Sequence, residues 1–201
     1  HLIIFINPAA RELRTVYDGA FLSFDQLLLG RESAGEFFQR LLGTSETVAA
    51  LMSYGYPAFY GYLALLVLVM VLQRDRIFSD EFLAALSLLW LFGVTIVYFI
   101  PTWGPCFYLP DSVSALPTTQ VAELQSSLWL NMRAILDDPA GSTGIYLISG
   151  FPSLHLAAVV LGSMYLQRIN RLLAAASWIF ALVTVATTLY FCWHYILDDI
   201  S

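Results

Sequence analysis

Two short motifs near the end of the chain contain the residues best able to do chemistry. The proline–histidine motif, residues 150–155, reads Gly-Phe-Pro-Ser-Leu-His, and the histidine–aspartate motif, residues 194–198, reads His-Tyr-Ile-Leu-Asp. Both lie at the edge of long uncharged stretches, where an ionisable side chain is costly and indicates function. Residues i and i+4 share one face of a helix, so we expect Asp198 to accept the N–H of His194 and fix its tautomer.

Pro152 fits the first position of a helix, because its missing N–H would have no partner there and its φ is already helical. The backbone N–H groups of Ser153 and Leu154 would then be unpaired at the helix N-terminus, where they could bind an anion such as phosphate. The Ser153 hydroxyl adds a further donor, and His155 lies within the first turn. The motif therefore predicts a phosphate site that carries a titratable group.

Together the two motifs support phosphoryl transfer through a phosphohistidine. His194 would attack phosphorus, and Asp198 would stabilise the resulting imidazolium. His155 would protonate the leaving oxygen and then activate an incoming alcohol or water. We therefore predict His155, His194 and Asp198 as catalytic residues and Ser153 and Leu154 as substrate-binding residues, in steps that use no cofactor.

Other interpretations of these side chains stay open at this stage. His194 and Asp198 could be a buried structural pair or a helix cap, and His155 could be a satisfied polar residue between helices. Two histidines and a carboxylate could also bind zinc. The neighbouring Asp199 is one residue off the helical face of the pair, so we expect it to face solvent or to start a helix.

The elements that must position these residues are predicted from composition. Of the 201 residues, 59% are apolar and only 12% are charged, about half the charged share of a soluble domain. A helix of about 20 apolar residues crosses a bilayer. Four uncharged stretches are long enough or nearly so: residues 47–72, 82–100, 139–167 and 172–197. We expect an all-α, polytopic membrane helix bundle with about six transmembrane helices in the full protein, four of them complete here and the terminal ones truncated.

We expect residues 1–201 to form a single integral membrane catalytic domain. Its complete spans are predicted over residues 47–72, 82–100, 152–168 and 172–193. An amphipathic outer segment, residues 19–45, either lies in the membrane interface or packs as a cap on the loops. A loop over residues 102–146 follows the second span and contains a short helix over about 119–136.

Arginine placement predicts which way the chain faces. Arg74 and Arg76 lie in one short connection and Arg168 and Arg171 in another, and the number of intervening spans puts both connections on one side. The positive-inside rule makes that side cytoplasmic. Both motifs and the long loop would then face the extracytoplasmic or lumenal side.

Charge and cysteine content exclude some partners. A net charge of −6 argues against nucleic acid, because a phosphate backbone needs a basic surface. Cys106 and Cys192 match no metal-ligand spacing. Both fall on the same side of the predicted topology, so a disulfide between them is possible, but we expect both to be unpaired. The expected partners are the bilayer, a phospholipid donor and a lipid alcohol acceptor.

The two motifs, about forty residues apart, resemble those of the type 2 phosphatidic acid phosphatase superfamily. Within it the chain is most similar to the inositol phosphorylceramide synthase branch, a group of sphingolipid enzymes, since residues 188–190 and the proline-rich residues 101–105 also fit that branch. The resemblance implies a six-helix core with outward-facing catalysis. It also implies that His155, His194 and Asp198 are catalytic without a metal.

The chain departs from the phosphatase pattern at its phosphate-binding cations. It has no lysine, and Thr187-Thr188 stand where phosphatases carry Ser-Arg. A phosphomonoester dianion needs such charges, so their loss favours a diester donor with a single negative charge. Arg133, the only basic residue of the long loop, could supply a substrate-binding cation, and Arg31 and Arg40 are further candidates.

Three function classes follow from these observations. The first is a lipid phosphotransferase that moves a phosphate-linked polar headgroup, phosphoinositol-like, from a phospholipid to a lipid alcohol. The second is a lipid phosphatase that releases inorganic phosphate. The third is a transporter or scaffold that performs no chemistry.

Overall fold

The computed structural model describes residues 16–138 and 150–200, and every regular element in that part of the chain is helical. The predictions for the two truncated ends and for the last part of the long loop concern residues 1–15, 139–149 and 201, which lie outside the described residues. The α-helices are, in chain order, α1 (Asp18–Leu29), α2 (Ala34–Leu42), α3 (Glu46–Ser53), α4 (Gly55–Val71), α5 (Arg76–Phe99), α6 (Pro105–Tyr108), α7 (Gln120–Asp137), α8 (Leu154–Gln167), α9 (Arg171–Tyr190) and α10 (Ile196–Ile200).

The all-α membrane helix bundle that the sequence predicts is confirmed. Three stretches of the described chain are long and apolar enough to cross a membrane: Glu46–Val71, Arg76–Phe99 and Arg171–Tyr190. The predicted span over 152–168 is the shorter helix α8, which has 14 residues. At 1.5 Å per residue it extends about 21 Å, less than the roughly 30 Å of a hydrocarbon core.

The first predicted span is built from two helices rather than one. Helix α3 ends at Ser53, and α4 begins at Gly55. Tyr54 is the C-cap of α3 and the N-cap of α4. Pro57 explains the break, since it has no N–H to donate to the carbonyl of Ser53 four residues earlier.

Helix α8 lies at the centre of the bundle, against α4, α5 and α9. Its buried Ala158 and Val159 pack with Phe59 of α4 and Ala181 of α9. The small residues permit close approach of the helices, which is how helices associate in a membrane. Asn170 caps α9 by accepting the N–H groups of the two following leucines at 2.8 and 3.2 Å, so a tight turn joins α8 to α9.

The amphipathic outer segment forms two short helices. Ser33 and Glu36 make a capping box at the start of α2, and Gly30 ends α1 in the left-handed conformation with φ of 71°. Helix α1 contacts α10, and α2 contacts the end of α9. The segment therefore packs against the helices on either side of the histidine–aspartate motif.

The long loop after α5 contains helix α7, as predicted. Thr119 caps α7 by accepting the N–H of Ala122 at 3.3 Å. The loop begins with residues 101–104, which turn inward toward the two motifs rather than out to solvent, since Thr102 and Gly104 are buried.

Candidate active site

The proline–histidine motif is held by the loop that follows α5. Thr102 is buried, and its hydroxyl oxygen accepts the N–H of Phe151 at 2.7 Å, while its carbonyl accepts the N–H of Gly150 at 3.1 Å. These two bonds join residues about fifty positions apart in the chain. They set the direction in which the chain enters α8, and they therefore set the position of His155.

The entry into α8 differs from the sequence prediction. Pro152 is not the first helical residue, because α8 begins at Leu154 with Ser153 as its N-cap. The Ser153 N–H is not unpaired either, since it donates to the carbonyl of Asp198 at 3.1 Å. The predicted anion site therefore lacks the Ser153 N–H as a donor. The hydrogen bond from this N–H to the Asp198 carbonyl instead connects the two motifs.

The histidine–aspartate motif forms its pair at a helix start and not along one helix. His194 precedes α10, which begins at Ile196, and its Nδ1 lies 3.4 Å from Oδ2 of Asp198. The same Oδ2 accepts the N–H of Tyr195 at 2.8 Å, as a carboxylate in the first turn does in a capping box. His194 and Asp198 are therefore close to each other as predicted, but Asp198 is held there by capping the N-terminus of α10 and not by sharing a helix face with His194.

The two histidine rings face one cavity. Their centroids are 6.1 Å apart, and both rings border a cavity of about 350 Å³ that is lined by residues of α4 to α9. Thr188 is the one other polar aliphatic residue of the wall in the described part of the chain. The remaining lining residues are apolar or aromatic: Tyr56, Trp90, Val94, Val97, Trp103, Phe107, Leu128, Pro152, Leu154 and Trp193. An apolar cavity with a few convergent polar groups is typical of a small-molecule or lipid site.

Aromatic rings fix the two histidines in place. The ring of His155 lies edge-on to Phe59, with centroids 4.6 Å apart, and 5.4 Å from Tyr56. Tyr56 in turn stacks on Trp193, the residue before His194, at 5.3 Å. Helix α4 therefore contacts His155 directly, and through Tyr56 it also contacts the residue before His194.

The surroundings of His194 favour its protonated form. Burial by itself lowers the pKa of the imidazole, but the nearby carboxylates of Asp198 and Asp199 outweigh burial and raise it. The backbone carbonyl of Gly150 acts in the same direction. A positive charge that develops on this ring is thus stabilised, as nucleophilic attack by an imidazole requires.

Asp199 lies in the first turn of α10, in agreement with the helix-start part of the expectation, but it is partly buried rather than fully exposed to solvent. One carboxyl oxygen lies 3.5 Å from the Thr188 hydroxyl, and burial raises the pKa of the group to about 6 against the lowering influence of His194 and the Ser153 hydroxyl. This burial was not expected, because the spacing argument assumed a helix running through His194. Since α10 starts later, Asp199 points inward behind the cavity wall.

The predicted substrate-binding residues are not all brought together. Leu154 borders the cavity, and the buried Ser153 lies behind it against the second motif. The Arg133 guanidinium instead sits over the ring of Trp129 on an exposed face, 5.4 Å from the centroid. Of the other candidate cations, Arg40 pairs with Glu32 at 2.9 Å.

Several residues of this site were not predicted from the sequence. Tyr56 and Trp193 lie in the cavity wall. Asp18 and Asp25 of α1 are completely buried and bond to the loops around the motifs. The available signal was their spacing of seven residues, which puts two carboxylates on one face of α1.

The comparison with protein families agrees with this geometry. The family model described as PAP2 superfamily matches residues 21–201, a range that contains both motifs. The chain belongs to the PAP2 superfamily. No curated protein and no solved structure matches it. PAP2 superfamily members are lipid phosphatases and phosphotransferases, so this PAP2 protein is an enzyme of that type.

The zinc alternative has no geometric support in this PAP2 protein. Among residues 16–138 and 150–200, no three histidine, cysteine or carboxylate side chains are placed to hold a metal ion. Asp198 is engaged by the Tyr195 N–H and faces His194. The two cysteines carry free, buried thiols.

Proposed function

We propose that this enzyme is a lipid phosphotransferase that moves a phosphate-linked polar headgroup from a phospholipid to a lipid alcohol. The observation that carries the proposal is the pair of imidazole rings, 6.1 Å apart at one apolar cavity. A phosphorus atom between two such rings can be attacked from one side while the leaving oxygen is protonated from the other. The cavity walls suit the lipid part of both substrates.

The first step forms a covalent intermediate. Nδ1 of His194 faces Asp198, so Nε2 is the nitrogen left to attack phosphorus. The N–P bond forms as the bond from phosphorus to the diacylglycerol oxygen breaks, and protonated His155 gives its proton to that oxygen. The headgroup phosphate is then attached to His194, whose positive charge is stabilised by Asp198.

The second step transfers the headgroup. Neutral His155 accepts the proton of an incoming lipid alcohol, whose oxygen attacks phosphorus. The N–P bond breaks, its electron pair returns to His194, and the new phosphodiester leaves with the headgroup. His155 is protonated again, so the cycle closes without a cofactor.

The charge of the cavity favours a diester donor. Within the described part of the chain, no arginine borders the cavity, and Thr188 occupies the wall where a phosphatase would place its arginine. Behind it lies the carboxyl group of Asp199. A phosphomonoester dianion would lack the cations that stabilise its transition state, whereas a diester brings one negative charge, as phosphatidylinositol does.

We propose that the site faces the extracytoplasmic or lumenal side. The arginines of the two short connections support this orientation by the positive-inside rule. Donor and acceptor lipids would then enter laterally from the outer leaflet. A headgroup of the phosphoinositol type and a sphingolipid-like alcohol are the substrates we favour within this class.

Product analysis tests the proposal. The purified protein, given phosphatidylinositol and ceramide in mixed micelles, should form a new phospholipid and an equal amount of diacylglycerol, both measured by mass spectrometry. The His194→Ala variant should form neither product. If ceramide stays unmodified while phosphatidic acid is converted to free phosphate, the enzyme is the alternative lipid phosphatase. If His194→Ala matches the wild type in every assay, the non-catalytic transporter or scaffold is favoured.

A further inference from the structure

Helix α1 carries a carboxylate that reaches the histidine–aspartate motif. Asp25 is completely buried; its Oδ1 accepts the N–H of Ile196 at 3.0 Å, and its Oδ2 accepts the N–H of Ala34 at 3.1 Å. Ile196 is the first residue of α10 and lies midway between His194 and Asp198. The Asp25 side chain therefore bonds to the turn on which the proposed nucleophile and its partner both depend.

Helix α10 needs such outside support. The five residues over which it is described are too few for an isolated helix, because the first turn fixes many dihedrals for one hydrogen bond. Its first N–H groups are satisfied by two carboxylates: Asp198 accepts from Tyr195 at 2.8 Å and Asp25 accepts from Ile196. Only Asp25 comes from a distant part of the chain, so its bond to Ile196 fixes the position of the turn relative to α1.

A second carboxylate of α1 acts in parallel. Asp18 accepts the N–H groups of Trp103 and Gly104 and the hydroxyl of Tyr195, at 2.9 to 3.1 Å. Phe21 lies between the two acids on the same face and packs edge-on against Tyr195, with ring centroids 5.8 Å apart. One face of α1 thus contacts the 101–104 loop and the start of α10 together.

We propose that Asp25 is a positioning residue for the phosphotransfer reaction, acting through the Ile196 N–H to set the angle of the turn that carries His194 and Asp198. The proposal rests on the proposed function. Asp25 does not border the cavity, so it has no contact with substrate. Its loss should leave lipid binding intact and move the His194 ring away from the position needed to attack phosphorus. Small misplacements of a reacting group lower the rate strongly.

The first test replaces the carboxylate of Asp25 by an amide. Asp25→Asn keeps the size but offers one acceptor oxygen to two N–H donors. We expect kcat for headgroup transfer to fall about tenfold or more, with KM for the donor lipid changed less than about twofold. Glu36→Gln is the matched control, since it makes the same change in the capping box of α2; it should leave kcat at the wild-type value.

The second test removes the donor instead of the acceptor. Ile196→Pro deletes the N–H at the first position of α10, where proline is tolerated. If Asp25 acts through this bond, the double variant should be no slower than the slower single variant. Deuterium exchange of the peptide over residues 192–200 should also be faster in Asp25→Asn than in Glu36→Gln.

The outcomes separate this proposal from the proposed function. An Asp25→Asn enzyme with wild-type kcat, a change confined to KM, additive effects of the two variants, or an unfolded Asp25→Asn protein would each overturn the positioning role. A wild-type protein that transfers no headgroup would overturn the proposed function. The exchange measurement would then still decide whether Asp25 orders the turn.

Discussion

His155 lies in the first turn of α8 and His194 in the connection between α9 and α10, yet their rings lie 6.1 Å apart with an interplanar angle of 58°. Neither ring reaches this position by local structure alone. Thr102 fixes the chain before His155 by bonding to Phe151, and the bond from the Ser153 N–H to the Asp198 carbonyl connects the two motifs directly. The approach of the two histidine rings therefore depends on hydrogen bonds between segments that are distant in the sequence.

The role of His155 as the acid for the leaving oxygen can be tested with the leaving group. His155→Ala should lower kcat with a diacylglycerol leaving group by about 100-fold or more. A donor with a nitrophenol leaving group needs no proton, so its release should slow far less. Comparable losses with both donors, measured by release kinetics, would argue against the acid role.

Asp199 should influence the pH at which the enzyme works. Attack requires a neutral His194, so the rate falls as pH drops through the pKa of His194, which the Asp199 charge helps to raise. Asp199→Asn should therefore move the acidic limb of the kcat/KM profile to lower pH. The exposed control Asp111→Asn should leave that limb unchanged, and an Asp199→Asn profile identical to wild type would show that the charge has no influence.

Thr188 should set the choice between monoester and diester substrates. Thr188→Arg introduces a cation into the cavity wall beside His194, where it can stabilise a dianionic phosphate. We expect the ratio of phosphatidic acid hydrolysis to headgroup transfer to rise about tenfold. Thr188→Met, of similar bulk but no charge, should not raise this ratio; an equal rise in both variants would attribute the effect to size.

Gly104 should be indispensable for the loop that contacts both motifs. Its φ is 87°, and a Cβ at this position would lie 2.6 Å from the carbonyl oxygen of Trp193. Gly104→Ala should lower the free energy of unfolding by more than about 1 kcal/mol and reduce activity. Gly61→Ala is the control, because a Cβ there meets nothing within 4 Å and should cause no loss in a thermal melt.

The sequence predicted the spanning helices and the convergence of the two motifs because both depend on patterns within the chain. Long uncharged stretches can only be helices in a membrane, and the arginine-bearing turns mark their ends. The short helix expected over about 119–136 corresponds to α7. What failed was the local geometry of the motifs, since Pro152 and His194 each lie just before a helix instead of inside it.

The buried carboxylates could not be found by the same reasoning. In an amphipathic helix such as α1, charged residues are assigned to the solvent face. Asp18 and Asp25 instead face inward, where their carboxylates accept the backbone N–H groups of residues 103, 104 and 196. Those donors are distant in sequence, and only the folded chain brings them to α1.

The phosphohistidine itself offers the most direct test of the account. Purified protein should be incubated with a headgroup-labelled phospholipid without acceptor, quenched in base, digested and analysed by mass spectrometry. The account predicts a headgroup phosphate on His194 that is stable in base, is lost in acid, disappears when a lipid alcohol is added, and is absent in His194→Ala. Transfer that proceeds with no adduct at His194, or with an adduct on another residue, would contradict it.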